Sequence, residues 1–340
     1  MDVIIIPAYE PDEQLVRLVD ELSKNDFSLV VVDDGSGEKY ANIFAQISNN
    51  AHIVTLEKNC GKGAALKAGM KYIKDSLPEC KHFITCDADG QHRPEDAVRV
   101  REQLHKGNKF VLTVRERKGK IPFRSRFGND LSKIVYALLT NRYLSDNQSG
   151  LRGFARSNLD WLINVEKNNY DYEMNVLYYA ATMGLKITTI PIDAIYIENN
   201  ASSHFNPIRD TLRIYKSLFT LARGTMISLL AAELLILILG FFVENQYITI
   251  TVPSVGAIAL LLRILLEKYI FLKHVPQCDY FTTLCYTIIS YFVYMLMCKL
   301  IVLIFPLIPL IINFNMVYLI CVPLRFFLHQ LIFIASLTKE

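Results

Sequence analysis

"FITCDADGQH" (residues 83–92) decides how the first two thirds of this chain are read. An apolar run ends abruptly in Asp87-Ala88-Asp89, and Gly90, Gln91 and His92 follow at once. A continuously apolar run suits a strand buried on both faces, whereas Asp and Gly favour turns. Side chains alternate along a strand, so the spacing predicts that both carboxylates point the same way. Like charges so placed repel, and a divalent cation that prefers hard oxygen ligands offsets the repulsion. The bland reading is a turn or helix cap behind a strand. An EF-hand is excluded, because position six of the loop is His92 and position twelve is Val98.

The same pattern recurs on both sides of this stretch. "VIIIP" (3–7), "SLVVVDDGS" (28–36), "AHIVTLEKN" (51–59) and "KFVLTVRER" (109–117) read as further strands. Between them, "DEQLVRLVDELSK" (12–24) places Leu15, Leu18, Val19 and Leu22 on one helical face, and "GAALKAGMKYIK" (63–74) reads as a second helix. Apolar strands alternating with helices imply an α/β domain with a Rossmann-like, mostly parallel sheet covered on both faces. Ligands of such sheets bind beyond the carboxyl ends of the strands. Pro7 to Glu10, Asp33 to Ser36, Asn59 to Gly63 and Asp87 to Gln91 all fall there. "GKGAALKAG" (61–69) is not a Walker loop, since G-x-x-x-x-G-K-[ST] is not met; its glycines suit a helix packed closely on the sheet.

Composition changes sharply after residue 223. Of 340 residues 52% are hydrophobic, yet only 11 of the 69 charged residues lie in the 117 positions from Gly224 onward. The mean hydropathy is +0.25. A soluble domain at 1–205 and a membrane domain at 224–340 are expected. Four apolar stretches near 225–244, 248–267, 279–303 and 308–334 approach the ~20 residues that a bilayer requires. The connection carrying Arg263, Lys268 and Lys273 is expected to be cytoplasmic by the positive-inside rule. That places the first domain and both termini in the cytoplasm of an integral plasma-membrane protein. Seven cysteines without a C-x-x-C pair fit a reduced setting, and a net charge of +3 argues against nucleic acid as partner. The start, "MDVIIIPAYE", has neither the basic residues nor the length of a signal peptide.

Residues 206–223, "NPIRDTLRIYKSLFTLAR", join the two parts. Arg209, Arg213, Lys216 and Arg223 follow one helical stripe, with Ile208, Leu212, Tyr215, Phe219 and Ala222 beside it. An amphipathic basic helix of this kind lies in the membrane interface; the plain alternative is a surface helix packed on the first domain.

Taken in order, "IIIPAYEPDE", "VVVDDGS", "NCGKGAALKAG", "CDADGQH" and "QSGLRGF" (148–154) resemble an inverting family 2 glycosyltransferase of GT-A fold, over roughly residues 1–220. Within that family the chain is most similar to the dolichyl- or polyprenyl-phosphate sugar synthases. The remainder resembles the GtrA-type all-α membrane domain of about four helices. One departure is Glu10-Pro11, where many relatives read Asn-Glu or Asn-Pro.

The resemblance implies a nucleotide-diphosphate sugar donor, pointing to a UDP-linked hexose, and a polyprenyl phosphate acceptor of undecaprenyl or dolichyl type. It implies donor contacts at Pro7, Tyr9, Glu10, Asp34, Lys62, Asp87, Ala88, Ser149, Gly150 and Arg152. Asp87 and Asp89, with Gln91, would hold Mg²⁺ or Mn²⁺. Arg115 and either Arg124 or Arg126 would meet the acceptor phosphate, with His204, Arg209 and Arg213 as further candidates. Glu173 occupies the region of a general base, or is simply an acid at a helix start. A lipid phosphate needs no base in principle, because its second pKa near ~6 leaves it a dianion at neutral pH.

Two rival readings remain. A processive polysaccharide synthase is disfavoured, because its Gln-x-x-Arg-Trp motif is absent and the only Trp, Trp161, sits in "LDWLI". A lipid-sugar flippase or scaffold would bind nucleotide sugar without catalysis. Whether the chain forms a homo-oligomer stays open.

Overall fold

The computed structural model describes residues 1–116, 132–133, 136–137, 140, 142–193 and 209–221. The four expected membrane spans, together with Arg117, Lys118, Lys120, Arg124, Arg126 and His204, lie outside the described residues. Two compact units divide the chain, Met1–Lys133 with Leu144–Leu218 and Ile134–Tyr143 with Phe219–Glu340. In the second, the Thr140 hydroxyl donates to the Tyr136 carbonyl at 2.8 Å. Among the described residues no helix is long and apolar enough to cross a membrane.

The first unit is built on strands β1 (Asp2–Ala8), β2 (Ser28–Asp33), β3 (His52–Thr55), β4 (His82–Thr85), β5 (Phe110–Glu116), β6 (Arg152–Ala155) and β7 (Thr188–Asp193). They form one sheet in the order β3-β2-β1-β4-β6-β5-β7. The pairings are parallel, except that β6 runs antiparallel to both β4 and β5. Its helices are α1 (Glu13–Ser23), α2 (Ala41–Ile47), α3 (Lys62–Ser76), α4 (Pro94–His105), α5 (Leu159–Asn164), α6 (Asp171–Thr182) and α7 (Arg209–Leu221).

Both faces of the sheet are covered, as the apolar strands predict. Ile4, Ile6, Leu29 and Val31 share one layer with Leu15, Leu18, Val19 and Leu22 of α1 and Val100 and Leu104 of α4. Asp12 starts α1, its carboxylate accepting the Gln14 N–H at 2.9 Å, and the buried stripe then recurs every three or four residues. Ile5 and Val32 face the opposite way, toward α3. There the helix comes so close that a Cβ on Gly69 would stand 2.5 Å from Ile5 Cγ2 and 3.2 Å from Val32 Cγ2. Gly69→Ala therefore gains helix propensity but overpacks the layer, with an expected net loss of about 1–2 kcal/mol. Thermal denaturation should show a Tm lower by roughly 3–6 °C.

Three expectations need correction. The apolar-to-acidic stretches end as strands earlier than their patterns suggest, at Asp33, Thr55 and Thr85; after β2 and β4 it is Asp and Gly residues that turn the chain. Asp87 and Asp89 consequently stand in a turn beyond β4, so strand alternation is not what orients them. Strands β6 and β7 were not expected at all, and β6 makes the sheet mixed.

Candidate active site

The carboxyl ends of the central strands open into a cleft of about 600 Å³. The end of β1 contributes Pro7, Tyr9 and Glu10, the turn after β2 contributes Asp34, and the turn after β4 contributes Asp87, Ala88 and Asp89. Lys62 enters from the start of α3, and Arg209 and Arg213 from α7. Chain segments more than a hundred residues apart thus meet where the sheet topology predicts a ligand.

Asp34 fixes the cleft from below. Its Oδ1 accepts the Cys60 N–H and its Oδ2 the Gly61 N–H, both at 2.8 Å. Burial pushes this carboxyl above its ordinary pKa, although the two amides pull the other way. With both oxygens occupied and the residue 3% exposed, Asp34 shapes the loop that starts α3. The preceding Asp33 accepts the Ser36 N–H at 2.8 Å, and the Ser36 hydroxyl accepts the Glu10 N–H at 2.9 Å. The two loops bordering the cleft are therefore joined. Gly35 (φ +71°) makes that turn possible, since a Cβ there would overlap the backbone of Lys58 and Asn59.

Lys62 is the hub of the charges. Its Nζ lies 2.7 Å from Asp87 Oδ1 and 2.7 Å from Glu173 Oε2, and the three side chains are 17%, 25% and 12% exposed. Burial disfavours the ammonium, yet the two carboxylates outweigh it and hold Lys62 above its usual range. Asp87 responds in mirror image: burial raises it, while the Lys62 charge and the nearby His92 hold it well below. His92, 7% exposed, places Nε2 3.6 Å from Asp87 Oδ2.

Asp89 behaves differently. Among the described residues its carboxylate accepts one hydrogen bond, from the Gln91 N–H at 3.0 Å. Burial and the neighbouring Asp87 charge push its pKa up. One carboxylate is thus kept ionised and its neighbour lacks a positive partner. An uncompensated Asp89 carboxylate beside the ionised Asp87 gives a pair of hard oxygen donors that fits Mg²⁺ or Mn²⁺, and these are the residues that would hold it.

The "QSGLRGF" stretch supports this turn from behind. Thr85 Oγ1 donates to the Gly150 carbonyl at 2.8 Å, and a Cβ on Gly150 would overlap the Asp87 carboxylate. The Ser149 hydroxyl is paired with Thr113 Oγ1 at 2.5 Å. Arg152, expected at the donor sugar, is only 2% exposed. Its guanidinium donates to the carbonyls of Ser149 (2.8 Å) and Glu173 (2.7 Å). Arg152 is better described as a positioning residue for Glu173. Arg115 is engaged by Asp146, donating to Oδ2 at 2.6 Å and to Oδ1 at 3.1 Å. The forked pair lies apart from the cleft lining.

Sequence reasoning missed His92 and Asp146. His92 closes the quoted motif, so its position was a signal. Asp146 offered none, because its partner is 31 residues away. On α7, Ile214 (8% exposed) and Ser217 (3%) face inward, and the Ser217 hydroxyl donates to Asn175 Oδ1 at 3.0 Å. Leu212 is 63% exposed on the apolar stripe noted above. Within the first unit, α7 packs through Ile214 and Ser217 and still presents an apolar side chain outward.

Residues 3–161 match the family described as Glycosyl transferase family 2. An uncharacterized protein of Methanocaldococcus jannaschii is 30% identical over 222 residues, 63% of this chain and 89% of that protein. The UDP-N-acetylglucosamine–dolichyl-phosphate N-acetylglucosaminyltransferase of Methanococcus voltae is 27% identical over 246 residues, 66% of this chain and 97% of that one. An undecaprenyl-phosphate 4-deoxy-4-formamido-L-arabinose transferase of an Enterobacter species is 27% identical over 176 residues, 49% of this chain and 52% of that one.

Proposed function

Because residues 3–161 carry a glycosyl transferase family 2 domain, we propose that the chain transfers a sugar from a nucleotide-diphosphate sugar to the phosphate of a polyprenyl lipid, with inversion at the sugar carbon. One observation carries this reading: a single cleft is lined both by the carboxylate pair Asp87 and Asp89 and by the arginines Arg209 and Arg213. The reaction brings two anions together, which repel strongly where water is scarce. A divalent cation bound at Asp87 and Asp89 would neutralise the departing diphosphate. Arg209 and Arg213 would hold the lipid phosphate, on a helix whose exposed Leu212 suits a bilayer surface.

The acceptor needs no activation by the protein, because a phosphate monoester is largely dianionic above about pH 6. Glu173 fits that economy, since its carboxylate is committed to Lys62 rather than held ready for a proton. Relatives that act on dolichyl phosphate and undecaprenyl phosphate support the acceptor class. The first of these uses a UDP sugar, which supports uridine as the base. Residues 224–340 complete the proposal as a GtrA-like membrane domain, with the catalytic domain and both termini on the cytoplasmic side.

Arg209→Ala and Arg213→Ala are each expected to raise the KM for polyprenyl phosphate about tenfold, the loss of one charged hydrogen bond. The KM for nucleotide sugar should change less, as steady-state kinetics with each substrate varied will show. The proposal itself is tested by incubating membranes that contain the protein with undecaprenyl phosphate and a panel of labelled nucleotide sugars. Label from one donor should enter the organic phase. Nucleotide-sugar binding without transfer from any donor would favour the flippase or scaffold reading instead.

A further inference from the structure

At the amino ends of β1 and β4, on the side of the sheet away from the cleft, three side chains from distant parts of the sequence converge. Asp2 and His82 face each other in the β1–β4 register. Asp2 Oδ1 lies 2.9 Å from His82 Nδ1, and Asp2 Oδ2 lies 2.8 Å from Nε2 of His105, the last residue of α4. The two imidazole rings are 5.2 Å apart. One ligand atom from each residue falls within 4.8 Å of the other two, and no other group of three or more such residues does so among the described residues.

We propose that Asp2, His82 and His105 form a binding site for a borderline divalent transition metal, Zn²⁺ being the best chemical fit. Two imidazole nitrogens and one carboxylate oxygen are ligands that Zn²⁺ accepts, and the same set suits other first-row ions with open positions. Mg²⁺ prefers oxygen alone, so it does not compete for this site as it would for the Asp87–Asp89 pair. The backbone is already arranged for it, since two ligands sit on paired strands and the third ends a packed helix. Side-chain exposures of 14% for Asp2, 20% for His82 and 54% for His105 leave a way in for the ion and for the waters that complete its shell.

Binding changes little else. The nitrogens now facing Asp2, His82 Nδ1 and His105 Nε2, would turn their lone pairs to the metal, leaving His82 Nε2 and His105 Nδ1 to carry the ring proton. The ion would tie the starts of β1 and β4 to the end of α4, and would stabilise the folded chain by mass action. In the bland reading Asp2 merely bridges two histidines by hydrogen bonds and no ion binds.

The test uses the untagged full-length protein in detergent, stripped with chelator, resupplied with excess Mg²⁺ and titrated with Co²⁺ as a visible-spectrum probe. One equivalent of Co²⁺ is expected to bind, to be displaced by Zn²⁺, and to raise Tm. His105→Gln, at an exposed helix end, should weaken Co²⁺ binding by about 10²-fold or more, and His82→Gln similarly. His52→Gln, an exposed histidine on β3, should leave binding unchanged. Glycosyl transfer by His105→Gln should equal that of the wild type, which separates this site from the cleft. An absence of Co²⁺ binding in the presence of Mg²⁺, or wild-type affinity in both the His82 and His105 variants, would overturn the proposal.

Discussion

Asp89→Asn is expected to reduce sugar transfer by about 10³-fold, the scale of losing a principal electrostatic contact to a leaving charge. Its fold should survive intact. Asparagine is isosteric and its Oδ1 can still accept the Gln91 N–H. The sign of the stability change also follows. Burial and the Asp87 charge raise the Asp89 pKa, so at neutral pH its ionised form is less favourable in the folded chain than in the unfolded one. That cost sets in as pH rises past the unfolded value, about 3.9, and is complete above the raised folded value; asparagine removes it. Tm should therefore stay level or rise slightly while activity collapses. Chelation with EDTA should mimic the loss in the wild type, and Mg²⁺ or Mn²⁺ should reverse it. Gly150→Ala should weaken the same step by displacing the Asp87 carboxylate. Calorimetry and a transfer assay on the same preparations check each outcome, and full activity in EDTA would remove the metal from the account.

The second large effect is expected on stability. Lys62→Met leaves Asp87 and Glu173 facing each other, mostly buried, without their shared cation. Breaking such an arrangement from one side costs about 3 kcal/mol, because the remaining charges are uncompensated. Glu173 is already poorly served: among the described residues its Oε1 is buried without a hydrogen bond, 3.9 Å from an Arg152 nitrogen. Glu173→Gln should be milder in both respects, since Lys62 keeps Asp87. It should retain much of the transfer activity that Lys62→Met and Asp89→Asn lose. If Glu173→Gln abolishes transfer as completely as Asp89→Asn while nucleotide binding persists, Glu173 is a base and the lipid phosphate is not a preformed nucleophile.

What the sequence reveals here is whatever is local. Apolar runs that end in Asp and Gly identify β2 and β4, and one stopped by proline identifies β1, because burial and turn chemistry act on neighbouring residues. Strand β6, "RGFA", is opaque for a physical reason. Its Gly153 is required by the close approach of α4, where a Cβ would stand 2.4 Å from Val100 Cγ1 in an unchanged backbone, and nothing in four residues announces a helix from elsewhere. Strand β7, "TTIPID", contains Pro191, which argues against a central strand and is tolerated because β7 lies at the end of the sheet order.

The site divides in the same way. Asp87 and Asp89 are legible because they stand two residues apart in one turn, whereas the meeting of Lys62 with Glu173 spans 111 positions and is visible only in the fold. The convergence of Arg209 and Arg213 on the carboxylate pair is equally non-local. Arg152 illustrates the opposite error, because a motif residue expected at the ligand serves the protein's own backbone.

The central claim is that the cleft couples departure of a nucleoside diphosphate to attack by a lipid phosphate. The most direct measurement follows nucleoside diphosphate release and lipid-bound label together, with and without polyprenyl phosphate. Release should depend on the lipid, match the label recovered in the organic phase one for one, and disappear in Asp89→Asn. Release that proceeds equally without the lipid, or label that collects in a water-soluble glycan, would contradict the account.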